Sequence, residues 1–245
     1  MFSCKLSKIF MALLLIAVSS ATSAFEVSPM SATINADKGK KEMKFSIDNN
    51  SDELTAIEIT TAKRVIDDLG KETLVDSEDF YIYPPQLILK PLEKRTIKVK
   101  WIGENKPHIE EAYRIIVEQL PIELEEKSTS GITLLFKYET ALYLDPGNTE
   151  ADINIDHFSL QNEDLTIVIN NTGTKHQALN DHQLIITSIA KDGSQRETIL
   201  TNDEIETLRT KNVLAKHKLE IAFALPATLL AELSSITGIK LEPKK

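Results

Sequence analysis

Apolar and polar residues alternate at a period of two through most of this 245-residue chain. That period is typical of half-buried β-strands, and the longer period of amphipathic helices is scarce. The candidate strands are Glu26 to Ile34, Glu42 to Asn49, Thr55 to Lys63, Gln86 to Lys90, Arg95 to Ile102, Ala112 to Leu120, Ile132 to Leu144, Ile153 to Leu160, Leu165 to Asn170, Gln183 to Ala190, Glu197 to Leu200, Lys218 to Leu225 and Gly238 to Leu241. Short strands separated by turn-forming residues predict an all-β fold of immunoglobulin-like β-sandwiches.

The segment Leu144-Asp145-Pro146-Gly147-Asn148 interrupts this pattern, because proline and glycine together end strand pairing. We therefore expect two domains. These are an N-terminal immunoglobulin-like domain at residues 25–146 and a C-terminal β-sandwich domain at residues 147–245. Good helix formers at residues 203–209 and 227–233 predict two short helices in the second domain.

Residues 1–24 have the organisation of a secretory signal peptide. Lys5 and Lys8 precede a short apolar run, and small residues follow it up to Ala24. The run is shorter than the ~20 apolar residues that span a bilayer. We expect cleavage after Ala24, or else after Ala21, and release outside the cytoplasm. We expect no membrane insertion of the mature chain.

The only cysteine, Cys4, lies in the segment that we expect to be removed. The exported protein would then have no disulfide and would depend on its hydrophobic core, for which 42% hydrophobic residues suffice. The formal charge is -9, and loss of Lys5 and Lys8 makes the exported part more acidic still. A phosphate backbone attracts the opposite charge, so we expect no nucleic-acid partner.

Sequence motifs for catalysis or cofactor binding are absent. There is no nucleophile elbow, phosphate-binding glycine loop or dinucleotide fingerprint. His176 and His182 come nearest to a metal-binding pair, but their spacing favours surface histidines in a polar loop. The sequence therefore predicts a protein that is not an enzyme and that uses no cofactor or metal.

The longest strand-like run of the chain extends from Gly131 to Tyr143. Ile132, Leu134 and Phe136 share one face of this run, because alternate side chains of a strand point the same way. Two interpretations are open. The three side chains could line the core of their own domain. Alternatively they could belong to an exposed sheet edge, a feature that proteins normally blunt with charge or proline.

Proline-containing motifs stand in a characteristic order before this run. They are Pro84-Pro85 at the start of one strand, Pro91 in the turn before a basic strand, and Leu120-Pro121 at the end of the next strand. In this order they resemble the motifs of periplasmic chaperones of the chaperone–usher pilus pathway. The resemblance is clear from Phe25 to Pro146 and weaker over the second half of the chain.

The resemblance implies two immunoglobulin-like domains in a boomerang arrangement, which hold an incomplete pilin subunit. The last long strand of the first domain, here Ile132 to Leu142, would complete the pilin fold by β-strand addition. Ile132, Leu134 and Phe136 would then fill the groove of the pilin. The implied partners are pilin subunits and an outer-membrane usher. The implied function is donor-strand complementation, which prevents premature polymerisation and delivers the subunit to the usher.

The sequence departs from this family at the residues that anchor the subunit's terminal carboxylate. Known members use an arginine on the first strand and a lysine on the last, and those positions hold Ser31 and Ala141 here. Lys137 shares a strand face with Ala141, and Arg114 lies on the preceding strand. We expect Lys137 and Arg114 to bind the carboxylate, with surface charge as the alternative. The departure suggests an archaic or alternative branch of the family.

Another class of protein fits the same pattern. A secreted β-sandwich adhesion or structural protein could use the same edge strand to self-associate, and would form stable assemblies when purified alone. A chaperone would instead be monomeric or weakly dimeric and would co-purify with a smaller, strand-deficient protein. An exported hydrolase on a β-sandwich would need converging catalytic groups, and the sequence gives no sign of them.

Overall fold

The computed structural model of the protein describes residues 25–37, 39, 41–67, 71–122, 134–200 and 204–244. The predicted signal peptide at residues 1–24 lies outside these ranges. None of the helices within them is long and apolar enough to cross a membrane.

The first half of the described chain consists of β-strands alone. They are β1 (Phe25–Ser28), β2 (Ser31–Asn35), β3 (Glu42–Asn49), β4 (Thr55–Ile66), β5 (Glu72–Asp76), β6 (Phe80–Tyr83), β7 (Gln86–Leu89), β8 (Lys94–Trp101), β9 (Glu111–Leu120) and β10 (Lys137–Asp145). One sheet has the strand order β1-β3-β8-β6, and the other has the order β2-β10-β9-β4-β5, with β7 also paired to β4. Every pairing is antiparallel except that of β2 with β10.

Alternating side chains join the two sheets into a sandwich. In β8, for example, Ile97, Val99 and Trp101 are buried, while Lys98 and Lys100 between them are exposed. The hydrophobic core of this half extends from Phe25 to Leu144. Burial of each such aliphatic or aromatic side chain contributes roughly 1.5–3 kcal/mol.

The single strand predicted for Glu26 to Ile34 is instead divided in two. β1 pairs with β3 in one sheet and β2 pairs with β10 in the other. Pro29 lies between them, and its ring nitrogen carries no hydrogen for a ladder bond, so the ladder breaks there. The chain therefore crosses from one sheet to the other at Pro29 and Met30.

Buried Asn49, the last residue of β3, joins two loops of the first sandwich. Its Nδ2 donates to the backbone carbonyls of Glu53 at 2.8 Å and Lys90 at 2.9 Å. Its Oδ1 accepts from the backbone N–H of Ser51 at 3.1 Å. These bonds satisfy loop groups that would otherwise lose water without gaining a partner.

Replacing Asn49 by alanine should lower the free energy of unfolding of this half by about 2–4 kcal/mol, because carbonyls near the core lose their donor. The matched control is Asn50→Ala. Asn50 is exposed, and its loss should change stability by less than about 0.5 kcal/mol. Urea denaturation followed by Trp101 fluorescence measures both. Equal losses from the two variants would contradict this role for Asn49.

The second half forms another set of sheets with a separate core. Its elements are β11 (Ile153–Gln161), β12 (Asp164–Asn171), β13 (Gln177–Ala178), β14 (His182–Ala190), β15 (Gln195–Leu200), α1 (Glu206–Thr210), β16 (Asn212–Val213), β17 (Lys218–Ala224), α2 (Ala227–Glu232) and β18 (Leu233–Pro243). The sheet orders are β11-β12-β17, β15-β14-β18 and the short pair β13-β16. Buried residues from Leu165 to Ile239 form the core.

The architecture is almost entirely β, as predicted. The two short helices lie close to the positions that the sequence predicts for them. The first core ends at Leu144 and the second begins at Leu165. A domain boundary at residues 146/147 stays a prediction.

Candidate functional site

The most open backbone edge near the predicted site belongs to the first half of β10. This strand pairs with β9 from Lys137 to Leu144, but its pairing with β2 begins only at Ala141. The Ala141 N–H donates to the carbonyl of Met30 at 2.9 Å. Backbone groups two residues apart point the same way, so those of Lys137 and Glu139 face the same side. No strand of the described ranges pairs with them there.

The long strand predicted from Ile132 starts later, at Lys137. Its partner β9 has only Gln119 and Leu120 left beyond the Lys137–Glu118 pair, and Pro121 then ends the ladder. The last contact is between Phe136 and Gln119: the Gln119 N–H donates to the Phe136 carbonyl at 2.9 Å. Ile132 lies outside the described residues.

The side chains at the start of β10 divide between core and solvent. Phe136 and Tyr138 pack against the first core, and the Tyr138 ring meets that of Phe25 edge-to-face with centroids 4.8 Å apart. Leu134 is 62% exposed and its neighbour Leu135 is 49% exposed. The apolar alternation therefore continues beyond the end of the protein's own core.

Arg114 occupies the same row of the sheet as Ser31 and Ala141, the two positions at which the chaperones that the sequence resembles carry basic residues. Ala141 pairs with Arg114 on one side and with Ser31 on the other. Paired residues project from the same face of a sheet. The side chain of Arg114 therefore starts one strand away from that of Ala141, on the sheet face that points away from the first core.

A second arginine, which the sequence analysis did not identify, lies beside Arg114. The carboxylate of Glu72 accepts two hydrogen bonds from Arg64, at 2.9 Å from Nε and 2.6 Å from Nη2. It also accepts one from Nη2 of Arg114 at 3.4 Å. The Arg64 side chain is only 7% exposed. Nε of Arg114 is buried and has no hydrogen-bond partner within the described ranges.

The charges of Arg64, Arg114 and Glu72 together favour the binding of an anion. Two guanidinium groups face one carboxylate, which leaves a net positive charge. Partial burial alone would raise the pKa of Glu72, but the hydrogen bonds and charges of Arg64 and Arg114 outweigh burial and lower that pKa. Glu72 is therefore ionised at neutral pH.

Lys137, the other predicted anchor, lies away from this group. It is opposite Glu118, four positions along β10 from Ala141, which corresponds to about 13 Å along the strand. Its ammonium contacts the carboxylate of Glu139 at 3.3 Å, and the side chain is 48% exposed. The structure does not bring Lys137 and Arg114 side by side.

The arginine pair borders a cavity between the two halves of the chain. The cavity has a volume of about 280 Å³ and its walls include Arg64, Arg114, Lys211 and Lys218. Carboxylate or phosphate oxygens are the groups that a guanidinium fork binds best. The cavity can therefore bind a small anion, and the neighbouring edge of β10 can pair with a strand.

Contacts between the halves hold the end of β10 in place. The ring of Tyr143 stacks on that of His176 with centroids 3.7 Å apart, and Tyr143 Oη accepts a hydrogen bond from Asn212. Buried Glu110 accepts from the backbone N–H of His176 at 2.8 Å, with Nδ1 of that ring at 2.6 Å. Burial raises the pKa of Tyr143. Together these contacts form the junction between the two halves.

The interpretation of His176 and His182 as surface histidines in a polar loop is wrong. His176 belongs to the junction between the halves, and His182 is buried with its Nδ1 2.7 Å from Asp181. Sequence could not indicate these contacts, because Glu110 and His176 are 66 positions apart.

Solved structures of pilus chaperones have the same two-domain immunoglobulin-like fold. One chain of the CsuC–CsuE chaperone–tip adhesion subunit pre-assembly complex, from the archaic chaperone-usher Csu pili of Acinetobacter baumannii, has 16% identity and a TM-score of 0.55, covering 89% of this chain and 91% of that one. The class 5 fimbriae chaperone CfaA has 16% identity and a TM-score of 0.54, covering 91% and 99%. The YadV chaperone has 11% identity and a TM-score of 0.54, covering 89% and 90%. These likenesses confirm the predicted fold class.

The family follows from a direct sequence match. Residues 26–150, more than half of the chain, match the family described as "Pili and flagellar-assembly chaperone, PapD N-terminal domain". The chain belongs to this family, as the proline motifs predicted. Among curated protein sequences no relative matches it.

Proposed function

We propose that the protein is a periplasmic chaperone that holds pilin subunits by donor-strand complementation and delivers them to an outer-membrane usher. The observation that carries the proposal is the open edge of β10 at residues 137–140, next to exposed Leu134. Membership of the pilus-chaperone family supports the same function.

The physical basis is β-strand addition. An incomplete pilin sandwich presents unpaired backbone groups and an apolar groove. The free N–H and C=O groups of β10 supply a ladder, which fixes the register and direction of the bound strand. Side chains of one parity enter the groove: Leu134 with Ile132, and the part of the Phe136 ring that the protein's own core leaves uncovered. Each one buried contributes roughly 1.5–3 kcal/mol.

Anchoring of the subunit's terminal carboxylate follows from the cleft residues. We assign it to Arg114, which stands in one row with Ser31 and Ala141, and to Arg64 beside it. Lys137 lies too far along the strand to share the same carboxylate through this pair. In our proposal Lys137 makes a separate contact with the subunit, beside the part of β10 that pairs with it.

A direct test is to export the protein into a bacterial periplasm together with candidate pilins that lack one strand. We expect a one-to-one complex, and a monomer or weak dimer when the protein is purified alone. The matched control is the same pilin carrying an added segment that completes its own sandwich, which should not be retained. Stable assemblies of the protein alone, with no pilin bound, would favour the self-associating adhesion protein instead.

A further inference from the structure

Glu72 already makes the contacts that a bound carboxylate would make. Both of its oxygens accept from the Arg64 fork, at 2.9 and 2.6 Å, and one lies 3.4 Å from Nη2 of Arg114. Paired donation of this kind is how guanidinium groups recognise carboxylates. A ligand carboxylate that binds the same arginines has to displace Glu72 or share them with it.

The position of Glu72 makes displacement easy. It is the first residue of β5, which is the last strand in its sheet and has five exposed residues. Of the paired side chains, Glu72 is the one that solvent reaches, because it is 32% exposed and Arg64 only 7%. The carboxylate can therefore leave the arginines without unfolding any core element.

The arginines, in contrast, are fixed and have donors to spare. The Arg64 side chain is 7% exposed and Nε of Arg114 is buried without a partner in the described ranges. The cavity of about 280 Å³ lies beside them. Loss of Glu72 would expose two poorly hydrated positive groups, so a second carboxylate is the ligand that best replaces it.

We propose that Glu72 is a specificity-determining residue, an internal competitor that occupies the carboxylate site of Arg64 and Arg114 until the end of a docked polypeptide displaces it. The inference rests on the proposed carboxylate anchor. Glu72 is tethered to the site, so its effective concentration there is about millimolar or higher. Free carboxylates compete poorly against it. A carboxylate at the end of a strand already paired to β10 is tethered as well, and competes on equal terms.

The competitor can be tested without any pilin. The probe is N-acetylalanine, with N-acetylalaninamide as the uncharged twin, titrated into the purified protein while the arginine Nε–H signals of Arg64 and Arg114 are followed by NMR. Glu72→Gln should bind the free carboxylate about fivefold more tightly than the original protein, which corresponds to removal of one partly exposed ion pair. Glu72→Ala should give the same gain. The amide twin should bind none of the variants.

The matched control is Glu118→Gln, which removes the same charge from the same sheet face, four positions along β9 from Arg114. Its affinity for N-acetylalanine should equal that of the original protein. Unchanged affinity in both Glu72 variants, or an equal gain in Glu118→Gln, would overturn the inference. These results do not depend on pilin capture, whereas failure of the carboxylate anchor itself would appear as normal subunit retention by an Arg114 variant.

Discussion

Leu134→Asp is expected to leave the protein folded and to reduce pilin capture by more than about tenfold. Leu134 is 62% exposed and lies beyond the core of its own sandwich, so its loss should cost less than about 0.5 kcal/mol of stability. In the complex the same position enters an apolar groove, where an aspartate loses the burial of leucine and adds the desolvation of a charge. Thermal unfolding and co-purification of the subunit measure the two effects.

Leu135→Asp is the control for this prediction. Leu135 is adjacent and 49% exposed, but alternate side chains of an extended strand point to opposite faces. Its side chain should therefore point away from the pilin groove, and capture should stay within about threefold of the original level. Equal loss of capture in both variants would rule out that only one face of this strand enters the pilin groove. Unfolding of Leu134→Asp would place Leu134 in the protein's own core.

Arg114→Glu is expected to reduce subunit retention by about 10- to 100-fold, because one charge-assisted contact to a carboxylate is lost. The reversed charge also repels both Glu72 and the incoming terminus. Because Arg114 is half-buried, Arg114→Gln is the second variant, since it removes the charge without adding repulsion. Retention is measured by co-purification, beside a thermal unfolding curve of each variant.

Lys137→Glu serves as the comparison for Arg114→Glu. It reverses a charge on the same sheet face, about 13 Å along the strand, and should weaken retention less than Arg114→Glu does. Normal retention by both Arg114 variants would remove the arginine from the carboxylate anchor. A larger loss from Lys137→Glu than from Arg114→Glu would move the anchor to the start of β10.

Strands with one buried face were predictable from the sequence, and strands without one were not. β3 has the predicted bounds, Glu42–Asn49, because burial alternates along it. All five residues of β5 are exposed, so its sequence carries no alternation to detect. β6 has only four residues and ends directly before Pro84, which leaves too short a pattern.

The candidate site was predictable only as far as strand pairing extends. Arg114 could be placed beside Ala141 because consecutive long strands usually pair. Arg64 and Glu72 come together through the β4–β5 register, in which Ile66 is opposite Glu72. That register depends on the β4–β5 hairpin, and the sequence gives no sign of its second strand, β5. The cavity beside these residues also depends on how the two halves pack against each other. The apolar–polar alternation within each strand carries no information about that packing.

One strand, β10, runs from the open edge at Lys137 to the junction at Tyr143, and its length between them acts as a fixed spacer. Removal or insertion of a single residue after Tyr138 would turn every later side chain to the opposite face. Tyr143 would then leave its stack with His176 and point into the core. Any insertion or deletion of an odd number of residues between the edge and the junction would therefore break the contact between the two halves.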